Sequence, residues 1–242
     1  GITGTNGKTT TATLIAKTLS SLGHKIGFIG TGKIEIDGEE ISGENYSMTT
    51  PDPPLLYQSL RRMSDLGCDT VVMEVSSHAL SLDKVAPISF DYGIFTNLSA
   101  EHTDFHGDID GYFDAKQRLF KQCRCGIFNL DDKYGRLAYG LCNTRKISVG
   151  ILWPADVCAT NIQSYGFNGS EYTYCGRDFS INTSQLLPGS FNIYNSMIAA
   201  TVCIDMGLSP KDVFGVLGKI SGVAGRYEII NSDISVIIDY AH

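Results

Sequence analysis

The first ten residues carry the pattern that points most directly to chemistry. They read Gly-Ile-Thr-Gly-Thr-Asn-Gly-Lys-Thr-Thr and lead at once into a helical segment. Glycines let backbone N–H groups turn toward phosphate oxygens, the helix adds its positive N-terminal end, and a Lys and a hydroxyl complete a phosphate and Mg²⁺ site. Ile2 replaces the first glycine of the common pattern, and a Gly-rich turn before a helix is the alternative. We therefore predict a variant nucleotide-binding loop at Gly4, Thr5, Asn6, Gly7, Lys8, Thr9 and Thr10.

Two groups of polar residues follow predicted strands. Glu74 ends the apolar run 70–75, where a carboxylate beside a phosphate site is suited to bind Mg²⁺, and an ion pair with a nearby Lys is the alternative. The loop from Thr96 to Gly107 holds two His, two acidic residues and an Asn. Loops of that composition favour metal or phosphate binding, although either His could instead be a capped surface residue.

Three weaker signals lie farther along the chain. Lys116 stands in a helical pattern, where a Lys is ordinarily a solvated charge, so its context alone predicts no chemistry. Asn192 and Asn195 are three residues apart on one helix face, where their amides could pair with the edge of a base or could serve only as caps and packing groups. Arg226 could clamp a phosphate or carboxylate through two parallel hydrogen bonds, or could be a surface Arg.

Helical and strand patterns alternate along the first half of the sequence. Helices are expected near 8–22, 53–66 and 110–122, and strands near 25–30, 69–75, 90–96 and 125–129. This alternation predicts an α/β fold with a P-loop-type, mostly parallel sheet flanked by helices. Because parallel strands end at one edge of their sheet, ligand-binding groups should gather at that edge.

The remaining segments have other patterns. Residues 33–42 alternate around Asp37-Gly38, which predicts a hairpin, and residues of about 155–187 form short alternating segments that predict a small antiparallel β subsheet. Helices are expected near 190–206 and 210–219. The final segment 235–242 is apolar at its start, and we expect it to be a buried strand.

Length and composition favour a reduced, cytoplasmic, single-domain protein over a nucleic-acid-binding or membrane protein. A length of 242 residues fits one large α/β domain, and a formal net charge of −7 without a run of like charges argues against a nucleic-acid partner. Seven scattered Cys predict structural thiols in a reduced, cytoplasmic protein, with Cys123-x-Cys125 as half a metal site the weaker alternative. No apolar stretch reaches the roughly 18 residues of a membrane span, so no membrane insertion is expected.

Taken together, several segments resemble the Mur ligase family over essentially the whole chain. They are residues 3–9, 73–80, 96–107, 115–116, 189–200 and 239–242. Within the family, Thr49-Thr50-Pro51 combined with residues 74–80 is similar to the branch that joins a diamino acid to UDP-MurNAc-L-Ala-D-Glu. The resemblance implies ATP-driven amide formation, in which the acceptor carboxylate takes the γ-phosphate and an amine then displaces phosphate from the acyl phosphate.

The resemblance also implies a role for individual residues. The catalytic and metal set comprises Lys8 on the phosphates, Thr9 and Glu74 on one Mg²⁺, His102 on a second, and Lys116 as a carbamylated lysine, an anion that a Mg²⁺ site accepts. Nucleotide contacts are expected at Asn97, Asn192, Asn195, Arg226 and Asp239. Contacts to the acceptor are expected at Thr49, Thr50, Ser76 and Lys84, although the family often has Arg in place of Lys84 and usually has Asp in place of Glu101.

The implied ligands are ATP, Mg²⁺, a UDP-MurNAc-dipeptide and a diamino acid, bound by a monomer. Residues 1–242 match only the family's central ATP-binding domain, so its N-terminal uridine-binding and C-terminal amino-acid-binding domains are expected to be absent from this chain. A folylpolyglutamate synthase-like ligase and a nucleotide-binding regulatory module remain alternatives. The first would have a pterin pocket in place of the pairing of Thr49-Thr50 with Ser76-Ser77-His78. The second would tolerate loss of Glu74, His102 or Lys116. Nothing in the sequence separates diaminopimelate from lysine as the amine.

Overall fold

A computed structural model describes residues 1–41, 43, 46–101, 103–231 and 235–239. The helices are α1 (Lys8–Ser21), α2 (Pro53–Asp65), α3 (Ser77–Ser81), α4 (Thr103–His106), α5 (Ile109–Gln117), α6 (Lys133–Leu141), α7 (Ser190–Asp205) and α8 (Pro210–Leu217). The strands are β1 (Ile2–Thr3), β2 (Ile26–Gly30), β3 (Lys33–Ile36), β4 (Glu39–Glu40), β5 (Thr70–Met73), β6 (Phe90–Phe95), β7 (Cys123–Asn129), β8 (Arg145–Gly150), β9 (Val157–Ser164), β10 (Ser170–Cys175), β11 (Ser180–Gln185), β12 (Glu228–Asn231) and β13 (Ser235–Ile238).

Two sheets meet at the short first strand. One sheet has the order β1-β6-β7-β8-β9-β10-β11, with parallel pairing from β1 to β9, and the other has the order β4-β3-β2-β5. Ile2 joins them, because it pairs with Ile94 of β6 and forms a parallel bridge with Glu74 just after β5. The predicted mostly parallel α/β sheet is confirmed, and the phosphate loop leaves β1 between the carboxyl ends of β5 and β6.

The core lies on both faces of the sheet. Neighbouring residues of a strand point to opposite faces, so Ile94 and Ile127 pack with α1, α7 and α8, whereas Phe95 and Phe128 pack on the side of α2, α3 and α5. Both faces are covered, which explains why β6 and β7 read as nearly continuous apolar runs rather than alternating ones. The two helical layers thereby fix the edge of the sheet where the polar residues gather.

The hairpin and the antiparallel segment form as predicted. Asp37 and Gly38 have φ angles of 53° and 84°, the positive values that a two-residue hairpin turn needs, and they connect β3 to β4. Strands β9, β10 and β11 pair antiparallel. They are not a separate sheet, because β9 also pairs in parallel with β8 and extends the main sheet.

The last described strand corrects one expectation. β13 pairs with β12 in a two-stranded sheet, and its residues Val236, Ile237 and Ile238 are 41% to 47% exposed, so the predicted buried strand is wrong. An apolar run predicts a strand but not which layer covers it. In the part of the chain that the structure describes, no helix is both long enough and apolar enough to cross a bilayer.

Candidate nucleotide and metal site

The phosphate loop is held open by backbone geometry and by the end of β6. Gly4 and Gly7 have φ angles of 144° and 82°, values that glycine adopts readily, and a side chain at Gly4 would overlap the Thr96 hydroxyl. Asn97 accepts a hydrogen bond from the Asn6 N–H (2.9 Å) and donates one to the Asn6 carbonyl (3.1 Å). The Thr96 hydroxyl donates to the same carbonyl at 2.6 Å. Asn97 therefore shapes the loop with both ends of its amide.

Helix α1 begins directly at this loop with an uncapped N-terminus. Gly7 is its N-cap, no side chain among the described residues caps it, and its first turn contains no acidic residue. The first backbone N–H groups of a helix have no partner inside the helix, and the helix dipole is positive there. Thr9 and Thr10 lie in this turn, the latter buried. The arrangement suits an anion such as a phosphate.

Two lysine side chains converge on one carbonyl oxygen of the loop. Lys8 Nζ donates to the carbonyls of Gly4 (3.0 Å) and Thr5 (2.7 Å), and Lys116 Nζ donates to the same Gly4 carbonyl at 2.9 Å. Lys116 is only 1% exposed, with its ammonium 4.3 Å from the centre of the Tyr112 ring. The alternative of a solvated helical Lys is therefore not what the geometry gives, because α5 packs Lys116 inward against the phosphate loop.

Burial acts on both lysines, and the charge of Lys8 also acts on Lys116. Burial lowers the pKa of Lys8, and burial together with the nearby Lys8 charge lowers the pKa of Lys116 well below its ordinary value. The charged form of an amine loses most when water is removed, and a second cation nearby adds to that loss. A fraction of Lys116 is therefore a neutral, nucleophilic amine at lower pH than an exposed lysine would be.

Glu74 places a fully buried carboxylate beside the first turn of α1. Its Oε2 accepts hydrogen bonds from the hydroxyls of Thr9 (3.0 Å) and Thr31 (3.3 Å), and its Oε1 accepts one from the Thr31 N–H (2.9 Å). In the described ranges Glu74 makes no ion pair, so the alternative of a Glu–Lys pair is not what the geometry gives. The hydroxyl of Thr9 and the carboxylate of Glu74 are hard oxygen ligands of the kind that Mg²⁺ prefers.

Thr9 and Glu74 fit a Mg²⁺ ion that also binds phosphate oxygens. Over the described residues there is no cluster of three or more His, Cys, Asp or Glu side chains suited to a metal. Magnesium commonly takes one or two protein carboxylates and completes its shell with phosphate and water. His102, predicted to bind a second metal ion, lies outside the described residues.

Three of the four residues expected to contact the acceptor are linked to Glu74 through hydrogen bonds, and the fourth, Lys84, pairs with Asp52. The Thr49 and Thr31 hydroxyls are 3.1 Å apart, and the Thr50 hydroxyl donates to the Glu74 carbonyl (3.0 Å) while accepting from the Ser76 N–H (2.9 Å). Ser76 caps α3 by accepting from the Ala79 N–H. Lys84 Nζ is 2.5 Å from Asp52 Oδ1, at the N-cap of α2. Thr49, Thr50 and Ser76 thus lie beside Glu74 on the β5 side of the site, and the acceptor contact of Lys84 remains a prediction.

The two asparagines of α7 lie on one face and contact each other. Asn195 Nδ2 donates to Asn192 Oδ1 (2.9 Å), Asn192 Nδ2 donates to the Pro188 carbonyl (2.7 Å), and the Thr11 hydroxyl donates to Asn195 Oδ1 (3.1 Å). These bonds fasten α7 to the start of α1. The base contact of both amides remains a prediction.

A small cavity lies between α7 and the phosphate loop. Its volume is about 120 Å³, and its lining includes Gly7, Asn97, Asn129, Phe191 and Asn195. Phe191 is half exposed and contacts the ring of Tyr227, the residue after Arg226. An aromatic ring beside amides offers both a stacking face and hydrogen-bonding groups to a planar ligand.

Arg226 and Asp239 occupy different positions relative to the loop. Arg226 Nη2 donates to the Thr9 hydroxyl at 3.2 Å, so its guanidinium lies at the predicted metal and phosphate position. Asp239 accepts a hydrogen bond from the Tyr227 N–H at 3.2 Å, beside the ends of β12 and β13. The phosphate contact of Arg226 and the ribose contact of Asp239 remain predictions.

Three residues at the carboxyl end of β7, its last residue and two that follow it, are part of the site's framework and were not singled out from the sequence. Asn129 donates to the Thr96 carbonyl (3.1 Å), Asp132 accepts from the Leu98 N–H (3.2 Å), and Asp131 accepts from the Tyr194 hydroxyl (2.6 Å). They connect the β6 loop and α7 to β7. The signal was available, because polar residues that directly follow a parallel strand belong to the ligand-binding edge of the sheet.

Comparisons with known proteins agree with this geometry. The profile of the Mur ligase middle domain matches residues 2–203. The UDP-N-acetylmuramoyl-L-alanyl-D-glutamate--2,6-diaminopimelate ligase 1 of Clostridium acetobutylicum is 39% identical over 246 residues, which cover 100% of this chain and 50% of that protein. The chain thus spans about half the length of the curated relatives it matches.

Two solved structures resemble the fold. One, of a UDP-N-acetylmuramoyl-L-alanyl-D-glutamate--2,6-diaminopimelate ligase, has a TM-score of 0.86 and 27% identity, covering 100% of this chain and 50% of that one. The other, an FPGS from L. casei, has a TM-score of 0.74 and 19% identity, covering 100% of this chain and 67% of that one. At that identity, the likeness to FPGS shows a shared fold alone.

Proposed function

The chain belongs to the Mur ligase family, and from that membership we propose that it is the ATP-binding domain of a ligase that joins 2,6-diaminopimelate to UDP-MurNAc-L-Ala-D-Glu. The observation that carries the proposal is the convergence of Lys8, Lys116, Thr9 and Glu74 around the phosphate loop. The choice of diaminopimelate over lysine rests on the names of the similar ligases. The alternative of a folylpolyglutamate synthase is supported by the fold alone.

The proposed reaction has two steps. The acceptor carboxylate attacks the γ-phosphorus of ATP, which gives an acyl phosphate and ADP, and the amine of the diamino acid then attacks the acyl carbon and releases phosphate. Phosphoryl transfer of this kind depends mainly on positioning and on stabilising negative charge. The chain's contribution is therefore to hold the phosphates in line with the acceptor.

Each group of the site has a part in that positioning. The N–H groups of the first turn of α1 and the Lys8 ammonium hold phosphate oxygens, for which Lys8 must leave the carbonyls of Gly4 and Thr5. Thr9 and Glu74 would hold Mg²⁺, which supplies positive charge to the phosphates. The acceptor would lie on the β5 side, near Thr49 and Thr50, where its carboxylate faces the phosphate site.

We further propose that Lys116 is carbamylated in the working enzyme. Its neutral amine would attack CO₂ and lose a proton, which converts a cation into a carbamate anion. The buried position beside Lys8 supports this proposal, because the anion would replace the repulsion between two ammonium groups by an attraction. A carbamate also supplies the oxygen atoms that a Mg²⁺ site needs, which an ammonium does not. A cytoplasmic location and a monomeric state remain predictions.

The experiment is an assay of ADP formation by a longer protein that contains this chain together with the acceptor-binding and amino-acid-binding domains. With UDP-MurNAc-L-Ala-D-Glu, Mg²⁺ and ATP, ADP should form only when a diamino acid is added, and faster with 2,6-diaminopimelate than with lysine. Lys8→Ala should abolish the reaction. ADP formation that needs a folate and glutamate, and not the muramyl acceptor, would replace this proposal by the folylpolyglutamate alternative.

A further inference from the structure

Two cysteines outside the nucleotide site face each other across the antiparallel part of the main sheet. Cys158 of β9 and Cys175 of β10 are direct partners in the strand register. The neighbouring pair in that register, Ala159 and Tyr174, is 3% and 2% exposed in the core. Because successive side chains of a strand point to opposite faces, both cysteines lie on the other face of the sheet. There each is only partly buried, so a small reagent can reach them.

Their spacing suits a covalent link. Side chains directly opposite in an antiparallel pair have Cβ atoms about 4.5 to 5.5 Å apart. A disulfide needs about 3.5 to 4.5 Å, so a small movement of the strands suffices. Cys175 is the last residue of β10 and Cys158 the second of β9, and such strand ends can shift without breaking the ladder.

The two thiols also interact in the reduced chain. Burial raises the pKa of Cys158, and the adjacent Cys175 sulfur raises it further. The Thr160 hydroxyl lies 3.7 Å from Cys175 Sγ, where it can donate a hydrogen bond to a thiolate. The remaining cysteines differ: Cys123, Cys125, Cys142 and Cys203 are buried in the core, and Cys68 is partly exposed in the connection between α2 and β5.

We propose that Cys158 and Cys175 form a modification site that reacts with small disulfides and closes to a cross-strand disulfide. The thiolate of one cysteine attacks a sulfur of the small disulfide, which gives a mixed disulfide and releases one small thiol. The thiolate of the other cysteine then attacks the protein sulfur of that mixed disulfide and releases the second small thiol. The protein loses two hydrogens in total, and the small disulfide is reduced to two thiols. This inference is independent of the proposed ligase activity.

Closure should change the stability of the sheet rather than the nucleotide site. The link would join β9 to β10 across residues 158–175 and restrict the unfolded chain. Oxidised protein should therefore unfold at a higher temperature than reduced protein, and a dithiol should reverse the difference.

The test is to incubate the folded chain with oxidised glutathione and to map its peptides by mass spectrometry without reduction. A peptide linking Cys158 to Cys175 is expected, together with the rise in unfolding temperature. Cys158→Ser and Cys175→Ser should each lose the linked peptide and the temperature rise. Cys68→Ser, the matched control, should keep both. Three results would overturn the proposal, provided that Cys68 reacts with oxidised glutathione in the same sample. Cys158 and Cys175 could stay free, each could carry its own glutathione, or either could pair with a different cysteine.

Discussion

Replacing Glu74 by Gln tests the negative charge of this side chain, because it leaves the size of the side chain nearly unchanged. Glutamine has the same size, and its carbonyl oxygen can still accept the hydrogen bond from the Thr31 N–H. Its NH₂ group would take the place of Oε2, where the hydroxyls of Thr9 and Thr31 can rotate and accept hydrogen bonds instead of donating them. The substitution thus removes one negative charge and leaves the hydrogen bonds almost complete.

The expected effects differ greatly between stability and metal binding. Each of the three hydrogen bonds to the carboxylate is worth about 1.5 to 3 kcal/mol, against about 0.5 to 1.5 kcal/mol for a neutral acceptor. Relief of the cost of burying a charge offsets that loss, so the free energy of unfolding should change by no more than about 1 to 2 kcal/mol. A direct Mg²⁺ ligand should matter at least as much as an outer partner, whose loss typically weakens metal sites by about 10- to 100-fold.

The assay is calorimetric titration of Glu74→Gln with ATP, in the presence and absence of Mg²⁺. The variant should lose most of the Mg²⁺-dependent gain in affinity while its urea unfolding stays close to that of the wild type. Thr31→Val is the matched control, since it removes one hydrogen bond to Glu74 and keeps the charge. If Glu74→Gln bound Mg·ATP as tightly as the wild type, with the same dependence on Mg²⁺, the assignment of Glu74 to the metal would be refuted.

Three other substitutions probe the phosphate loop and its supports. Burial lowers the pKa of Lys116 in the folded chain below its ordinary value of 10.5. Between the folded-state pKa and the unfolded-state pKa, the folded chain therefore binds fewer protons than the unfolded chain. The free energy of unfolding should rise with pH across that range. Lys116→Met should flatten this rise by up to about 1.4 kcal/mol per pH unit in urea unfolding without bicarbonate, and an unchanged slope would contradict the burial argument. Gly4→Ala and Gly32→Ala should each lower the free energy of unfolding by about 1 to 3 kcal/mol through backbone strain, because both glycines have positive φ. Gly4→Ala should lower it further, because a side chain at Gly4 would overlap the Thr96 hydroxyl whereas Gly32 has room for one. Asn195→Ala should lower the free energy of unfolding by about 1 to 3 kcal/mol, since it leaves Asn192 and Thr11 without their partner, and it should weaken ATP more than inorganic triphosphate. Equal weakening of both ligands would remove Asn195 from the base side.

Local pattern was sufficient where a short segment determines its own structure. The Asp37-Gly38 turn, the start of α1 at Lys8 and the parallel core strands all form as predicted, because turn residues, helix starts and apolar runs act over a few positions. The edge at which parallel strands end also follows from topology, which explains why Glu74 and Thr96 meet at the phosphate loop.

Features that depend on contacts between distant parts of the chain could not be predicted from local sequence pattern. The context of Lys116 predicted only a solvated charge, and its burial against Gly4 depends on how α5 docks, 112 residues away in sequence. The exposure of β13 likewise depends on which layer covers it, which an apolar run does not specify. The opposition of Cys158 and Cys175 follows from strand register, and that register is set by the turn and bulge between the two strands.

The most direct test of the proposed function is a crystal structure of the chain with Mg²⁺ and a non-hydrolysable ATP analogue. We expect the β- and γ-phosphates on the N–H groups of the first turn of α1, with Lys8 Nζ moved from the Gly4 carbonyl to a phosphate oxygen. A metal ion should be bound by Thr9 Oγ1 and a Glu74 carboxylate oxygen. Phosphates bound elsewhere, or a metal that contacts neither Thr9 nor Glu74, would overturn the proposed function.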